Sequence, residues 1–206
     1  MHYIGLVFVN KDVDNVDTIL EPFDEQNEDY KEFEDRTEEV EDLFARLPEK
    51  DDESGYPCDL QRYPDIDTLA KKYFCYKVIE VDGKKVYGYM TNPNGKYDYY
   101  VDGGRWDGYI YGKDGQEHNE LPYEEVDWEK MFTPVEKKYT DIDGNERSYM
   151  DVHVPYAIVN DFGEWFDFGW KIENEDEWNK TGARKIIEGM KERAENIVVY
   201  AIDFHD

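Results

Sequence analysis

The net charge of this chain constrains its fold more than any other feature of the sequence. The chain has 51 Asp and Glu residues against 24 Lys and Arg, which gives a formal net charge of -27 over 206 residues. High net charge with low mean hydropathy is typical of chains that do not fold. Aromatic residues nevertheless make up 16% of the sequence, and burial of each one stabilises a fold by about 1.5–3 kcal/mol. The sequence therefore predicts a folded core beneath an acidic surface.

Short apolar runs at both ends of the chain predict two buried strands of one sheet, at residues 3–9 and 197–202. The dipeptide Asp82-Gly83 between two β-rich segments predicts a hairpin. Asp143-Gly144 and residues 160–163 predict two more. This order of elements indicates an α+β fold with a mainly antiparallel sheet that contains both terminal strands, with helices on one face.

Apolar residues at intervals of three and four predict helices over residues 16–23, 33–47, 66–74 and 186–194, and either Asp65 or Asp67 is available to cap the third. The length fits a single domain, residues 1–206. Within it, residues 24–55 are predicted to form an acidic helical segment or insertion.

The acidic excess also restricts the class of partner. A surface of this sign repels nucleic acid and anionic membranes and attracts basic protein clefts. Closely spaced carboxylates along a helix can imitate the phosphate rows of a duplex, which carry one charge per roughly 1.7 Å. We therefore expect the contact with a basic partner to be centred on six carboxylates: Glu34, Asp35, Glu38, Glu39, Glu41 and Asp42.

No apolar run is long enough for a membrane helix, and the first nine residues lack the flanks of a leader peptide. The chain has two cysteines, Cys58 and Cys75. We expect a reducing cytosol, with a disulfide between these two residues as the alternative.

Residues 92–106 are the most unusual segment of the sequence. They contain a Gly-Gly pair followed by Arg-Trp, between aromatic strands. The glycines permit positive φ, and Arg105 can fork onto a carboxylate such as Asp98. We expect a structural clamp between these two side chains. The alternative is a site for a small anion, made by the glycine amides and the guanidinium. Its candidate ligand-binding residues are Asp98, Tyr100, Gly103, Gly104, Arg105 and Trp106.

This segment resembles the core of a family of uncharacterised bacteriophage proteins, Asn-Pro-x-x-Lys-Trp-Asp-Trp-Tyr-x-x-Gly-Gly-Arg-Trp. Tyr97 and Tyr99 stand where that family usually has Trp. The resemblance extends weakly to His2 and to residues 202–205. It implies common descent with phage proteins and assigns no activity. The residues kept from the core motif are Asn92, Pro93, Lys96, Asp98, Tyr100, Gly103, Gly104, Arg105 and Trp106.

His2, Asp203 and His205 would meet if the terminal strands were neighbours, and two His with a carboxylate suit a metal or acid/base site. Chain ends tend to fray, so we expect no metal and no cofactor. Phosphate-loop, dinucleotide and nucleophile-elbow motifs are absent from the sequence, which disfavours an enzyme.

Two functions are compatible with these observations, and one is favoured. The favoured function is that of a phage-encoded inhibitor, acting in the host cytosol, that binds a basic surface of a nucleic-acid-handling defence complex of the CRISPR or restriction type. The alternative is a binder of a small anion or nucleotide, or an enzyme, with a pocket around Arg105.

Overall fold

A computed structural model of the chain describes residues 1–47, 63–142, 144–151, 153–167 and 182–206. Its residues divide into two compact units. The terminal unit comprises residues 1–24 and 96–206, and the inserted unit comprises residues 25–95. The inserted unit begins one residue after the start of the predicted acidic segment and continues well past its predicted end.

Thirteen strands and five α-helices are described. The strands are β1 (His2–Asn10), β2 (Glu32–Asp35), β3 (Lys77–Val81), β4 (Lys84–Thr91), β5 (Tyr99–Asp102), β6 (Ile110–Tyr111), β7 (Glu117–His118), β8 (Glu120–Pro122), β9 (Val135–Thr140), β10 (Glu146–Asp151), β11 (Ala157–Val159), β12 (Trp165–Asp167) and β13 (Ile197–His205). The helices are α1 (Val16–Leu20), α2 (Thr37–Arg46), α3 (Ile66–Lys72), α4 (Trp128–Phe132) and α5 (Ala183–Gly189).

Both ends of the chain lie in the six-stranded sheet of the terminal unit, as predicted. Strands β1 and β13 pair antiparallel along their whole length, from His2 opposite His205 to Asn10 opposite Ile197. The strand order is β12-β11-β1-β13-β5, and β8 also pairs with β13. Among the described strands of this sheet, only β1 and β11 pair in parallel. The α+β class and the mainly antiparallel sheet are thus confirmed.

The terminal unit has a hydrophobic core on each face of this sheet. Because side chains alternate along a strand, Leu6 and Phe8 of β1 enter one core and Val7 enters the other. Helices α4 and α5 cover the first core through Met131 and Ile187, and the short helix α1 contributes to the second. Burial on both faces explains why β1 and β13 read as continuous apolar runs.

The inserted unit contains a three-stranded antiparallel sheet in the order β2-β4-β3. Helices α2 and α3 contribute Val40 and Leu69 to a core that includes Tyr87 of β4. The turn between β3 and β4 has positive φ at Asp82 and Gly83, which confirms the predicted hairpin. The carboxylate of Asp65 accepts the Thr68 N–H at 2.7 Å, which confirms the predicted cap of α3.

The structure corrects one predicted helix and contains one further predicted hairpin. The prediction of one helix over residues 33–47 was wrong at its start, since Glu32–Asp35 form strand β2 and the helix begins at Thr37. Pairing with Gly88–Thr91 of β4 supplies the hydrogen bonds that a helix would otherwise make. The predicted hairpin near Asp143 is present as β9 and β10, although Asp143 itself lies outside the described residues.

Cys75 is exposed, whereas Cys58 lies outside the described residues, so the alternative of a disulfide stays a prediction. Within the part of the chain that the structure covers, every helix is too short or too polar to cross a membrane.

Candidate functional site

Six carboxylates of the inserted unit were predicted to contact a partner, and we call them the acidic face: Glu34, Asp35, Glu38, Glu39, Glu41 and Asp42. The first two lie on β2 and the other four on α2. All are exposed except Glu34, which is half-buried. The four carboxylates on α2 flank Val40, whose side chain is buried in the core of the unit.

Some members of the acidic face have partners within the unit. Glu34 forms an ion pair with Arg36 at 2.6 Å, and Glu39 accepts the Tyr76 hydroxyl at 3.0 Å. Hydrogen bonds from Thr37 hold the pKa of Asp35 below its usual value, so this carboxylate stays ionised at neutral pH. Glu38, Glu41 and Asp42 make no side-chain hydrogen bond or ion pair among the described residues. Their charges therefore face solvent.

The Gly-Gly-Arg-Trp segment of the terminal unit follows β5 and bends over β13. Gly103 and Gly104 have φ values of +67° and +53°, which favour glycine. A Cβ atom on Gly104 would lie 2.5 Å from the Cβ of Asp203. This close approach lets the backbone N–H of Arg105 donate to Oδ2 of Asp203 at 3.0 Å. The two glycines thus make room for the backbone contact with the buried carboxylate of Asp203.

The predicted clamp between Arg105 and Asp98 was wrong. Asp98 Oδ1 instead lies 2.8 Å from Nδ1 of His205, and the hydrogen bond from that ring lowers the pKa of Asp98. The residue Arg105 is exposed, and within the described ranges its guanidinium has no ion pair. The physical reason is the glycine turn, which directs the backbone amide of Arg105, and not its side chain, at a carboxylate.

The predicted ligand-binding residues pack toward different parts of the terminal unit. The Tyr100 hydroxyl donates to Asp17, and the ring packs against the core of one sheet face. Trp106 packs against the core of the opposite face. A cleft of about 690 Å³ in this unit lies elsewhere, between α4 and α5, with Trp128 and Arg184 in its lining.

What the structure does bring together is a cluster at one end of the sheet. His2 Nδ1 lies 2.9 Å from Asp203 Oδ1, and His205 Nδ1 makes the contact with Asp98 described above. The two imidazole rings meet edge to face, with centroids 4.7 Å apart. The ring of Tyr99 stacks on His205 with centroids 4.6 Å apart. We call His2, Asp98, Asp203 and His205 the paired His–Asp cluster.

Strand register accounts for this cluster. His2 lies directly opposite His205, and Asp203 lies two residues earlier on β13, so all three share one sheet face. Asp203 is buried, with 3% of its surface exposed, under the turn that Gly104 makes. The backbone N–H of Asp98 also donates to the His205 carbonyl at 2.8 Å. The cluster therefore lies where the first and last strands of the chain, β1 and β13, pair with each other.

Sequence reasoning had grouped His2, Asp203 and His205 but missed Asp98 as a member. Asp98 immediately precedes Tyr99, which is the cross-strand partner of His205. That pairing is a property of the sheet and has no counterpart in the spacing of the sequence. The alternation Asp203-Phe204-His205 is the sequence pattern that indicated the cluster, since it places two polar side chains on one face of an apolar strand.

Within the described ranges, no three His, Cys, Asp or Glu side chains converge as direct ligands of one ion. Comparison of the chain with protein-family models, with curated proteins and with solved structures found no match. The acidic face and the paired His–Asp cluster are therefore the features of the described residues that bear on function.

Proposed function

We propose that the protein is a phage-encoded acidic inhibitor that binds a basic surface of a host nucleic-acid-handling defence complex in the host cytosol. The observation that carries this proposal is the exposure of Glu38, Glu41 and Asp42 on α2, within a chain of net charge -27. These three carboxylates have no ion pair among the described residues, and on a folded element they present a fixed arrangement of charge, which a disordered acidic tail does not.

The charge density on α2 supports competition with nucleic acid. Its four carboxylates fall within residues 38–42, which span about 6 Å along a helix axis at 1.5 Å per residue. This is close to one charge per 1.5–2 Å, against roughly 1.7 Å for a duplex. A cleft that binds a phosphate backbone would therefore meet a similar potential here.

The anion or nucleotide site around Arg105 has less support as an alternative. Tyr100 and Trp106 pack against opposite sheet faces, and the backbone N–H of Arg105 is already engaged by Asp203. An anion at this position would also lie beside the buried carboxylate of Asp203, which would repel it.

The test is capture of partners from a bacterial lysate on the immobilised chain at low and at high salt. We expect basic nucleic-acid-binding proteins at low salt and their release at high salt, because exposed charge pairs are screened beyond about 8 Å at physiological ionic strength. Added duplex DNA should compete with the chain for the same partner. A lysate that yields no nucleic-acid-binding protein at low salt would contradict the proposal.

A further inference from the structure

The paired His–Asp cluster fixes the proton position on both imidazole rings. An ionised carboxylate only accepts hydrogen bonds, so a neutral ring held through Nδ1 carries its proton on that atom. Asp203 holds His2 in this way and Asp98 holds His205. Each ring is then left with a lone pair on Nε2. Among the described residues, neither Nε2 atom has a hydrogen-bond partner.

The two rings are also close and open to solvent. His2 and His205 are direct cross-strand partners with ring centroids 4.7 Å apart. Their side chains are 19% and 31% exposed, which allows an ion to reach them. A carboxylate that holds the far nitrogen of a histidine is the usual outer support of a metal-bound imidazole.

We propose that His2 and His205 bind one divalent transition-metal ion of the zinc class through their Nε2 atoms. Imidazole nitrogen suits Zn²⁺, Cu²⁺ and Ni²⁺, whereas Mg²⁺ and Ca²⁺ prefer oxygen ligands. The surrounding charge agrees with a cation, because Asp98, Asp203 and Asp206 lie in or next to the cluster. A phosphate ligand would be repelled by the same carboxylates. A metal ion at this position is contrary to the expectation of no metal that the sequence led to.

The protein supplies two ligands to such an ion. Since no third His, Cys, Asp or Glu converges on the rings within the described part of the chain, water would complete the coordination. The turn at Gly103 and Gly104 then has a positioning role. It brings the Arg105 N–H to Oδ2 of Asp203, which leaves Oδ1 to orient the ring of His2.

The first experiment is calorimetric titration of the untagged full chain with Zn²⁺ in excess Mg²⁺, which occupies the acidic surface nonspecifically. We expect one saturable Zn²⁺ site, lost in His2→Ala and in His205→Ala. Asp203→Asn should weaken binding about 10–100-fold while both ligands remain. The matched control is His118→Ala, which removes a ring paired with Asp114 at 3.1 Å, and it should leave the affinity unchanged.

The second experiment needs no variant and so does not depend on whether a substituted chain folds. Long-range ¹H–¹⁵N spectra report which nitrogen of each imidazole carries the proton. We expect Nδ1–H for His2 and His205 without metal, and a shift of both Nε2 resonances, but not that of His118, when Zn²⁺ is added. Nε2–H tautomers, or Zn²⁺ addition that fails to shift both Nε2 resonances, would overturn the proposal and leave only general attraction of cations to an acidic surface.

Discussion

His2 and Asp203 form a hydrogen bond of 2.9 Å although 201 positions separate them in the sequence. The contact depends on the register of β1 and β13, which places Ile4 opposite Asp203 and His2 opposite His205. A slip of one residue would move every side chain of one strand to the other face. The ends of this chain are thus held by a full-length strand pair, and they do not behave as the frayed termini assumed from the sequence.

Gly104→Ala should destabilise the terminal unit, because Ala at φ +53° is strained and its Cβ would collide with Asp203. The left-handed conformation alone costs about 1–2 kcal/mol in a non-glycine residue. Gly115→Ala is the matched control, since φ there is +81° and nothing lies within 4 Å of the added Cβ. Urea unfolding should show a larger loss for Gly104→Ala than for Gly115→Ala. Equal losses would mean that the approach to Asp203 is not tight.

Arg105→Ala should change the free energy of unfolding by no more than about 0.5 kcal/mol, as for an ordinary surface position. The residue is exposed, and the contact with Asp203 uses the backbone N–H, which Ala retains. Asp203→Ala should be far more destabilising, because it removes the acceptor for both His2 and Arg105. A loss of about 3–5 kcal/mol for Arg105→Ala would restore the clamp that the sequence suggested.

Much of the fold was readable because it follows local rules. The apolar runs of β1 and β13 predicted a shared sheet, and Asp65 and Asp82-Gly83 predicted a cap and a hairpin that are present. The start of α2 could not be predicted from the sequence. Phe33 lies four residues before Thr37, which suits a helix, but it also pairs with Met90 of β4. Long-range strand pairing decided between the two conformations.

The paired His–Asp cluster was harder to predict from the sequence than the fold, because it also depends on long-range strand pairing. Arg105 and Asp98 are near in sequence and opposite in charge, so a clamp between them was the simplest expectation. The actual partner of Asp98 is His205, which lies 107 positions away on a neighbouring strand. Charge and spacing identify polar residues of interest, but the sheet register selects which of them meet.

Arg193→Ala should cost about 1.5–3 kcal/mol of stability, the range for hydrogen bonds to charged groups. The Arg193 guanidinium holds Asp161 in a two-point contact, with Nη2 to Oδ1 at 2.7 Å. The Asp161 side chain is 4% exposed and the Arg193 side chain 38% exposed. Asp161→Ala should therefore cost less, since its freed guanidinium can reach water. A thermal or urea unfolding series that ranks the two variants the other way would contradict this account.

Stability should fall above about pH 10, partly because of Tyr123. Burial raises the pKa of this phenol from 10.0 to about 12, and its hydroxyl donates to the Ile187 carbonyl at 2.8 Å. A folded-state pKa above the unfolded value means that the stabilising contribution is complete below pH 10 and is lost as pH rises toward 12. Tyr123→Phe should be destabilising at pH 8 and less so at pH 11. An equal effect at both pH values would contradict the shift.

The proposed contact surface can be separated from the general charge of the chain by two variants of equal net charge. One reverses three exposed carboxylates of α2, with Glu38→Lys, Glu41→Lys and Asp42→Lys. The other reverses three exposed carboxylates of the terminal unit, with Glu129→Lys, Glu136→Lys and Glu195→Lys. Both should remain folded, because all six side chains face solvent.

The association rate constant of the captured partner with these two variants is the most direct test of the central claim. Electrostatic complementarity acts mainly on the rate of encounter, and its effect falls as ionic strength rises. We predict that reversal on α2 slows association far more than reversal on the terminal unit, and that the difference disappears at high salt. Equal rates for the two variants at low salt would show that the acidic face is only a solvated surface.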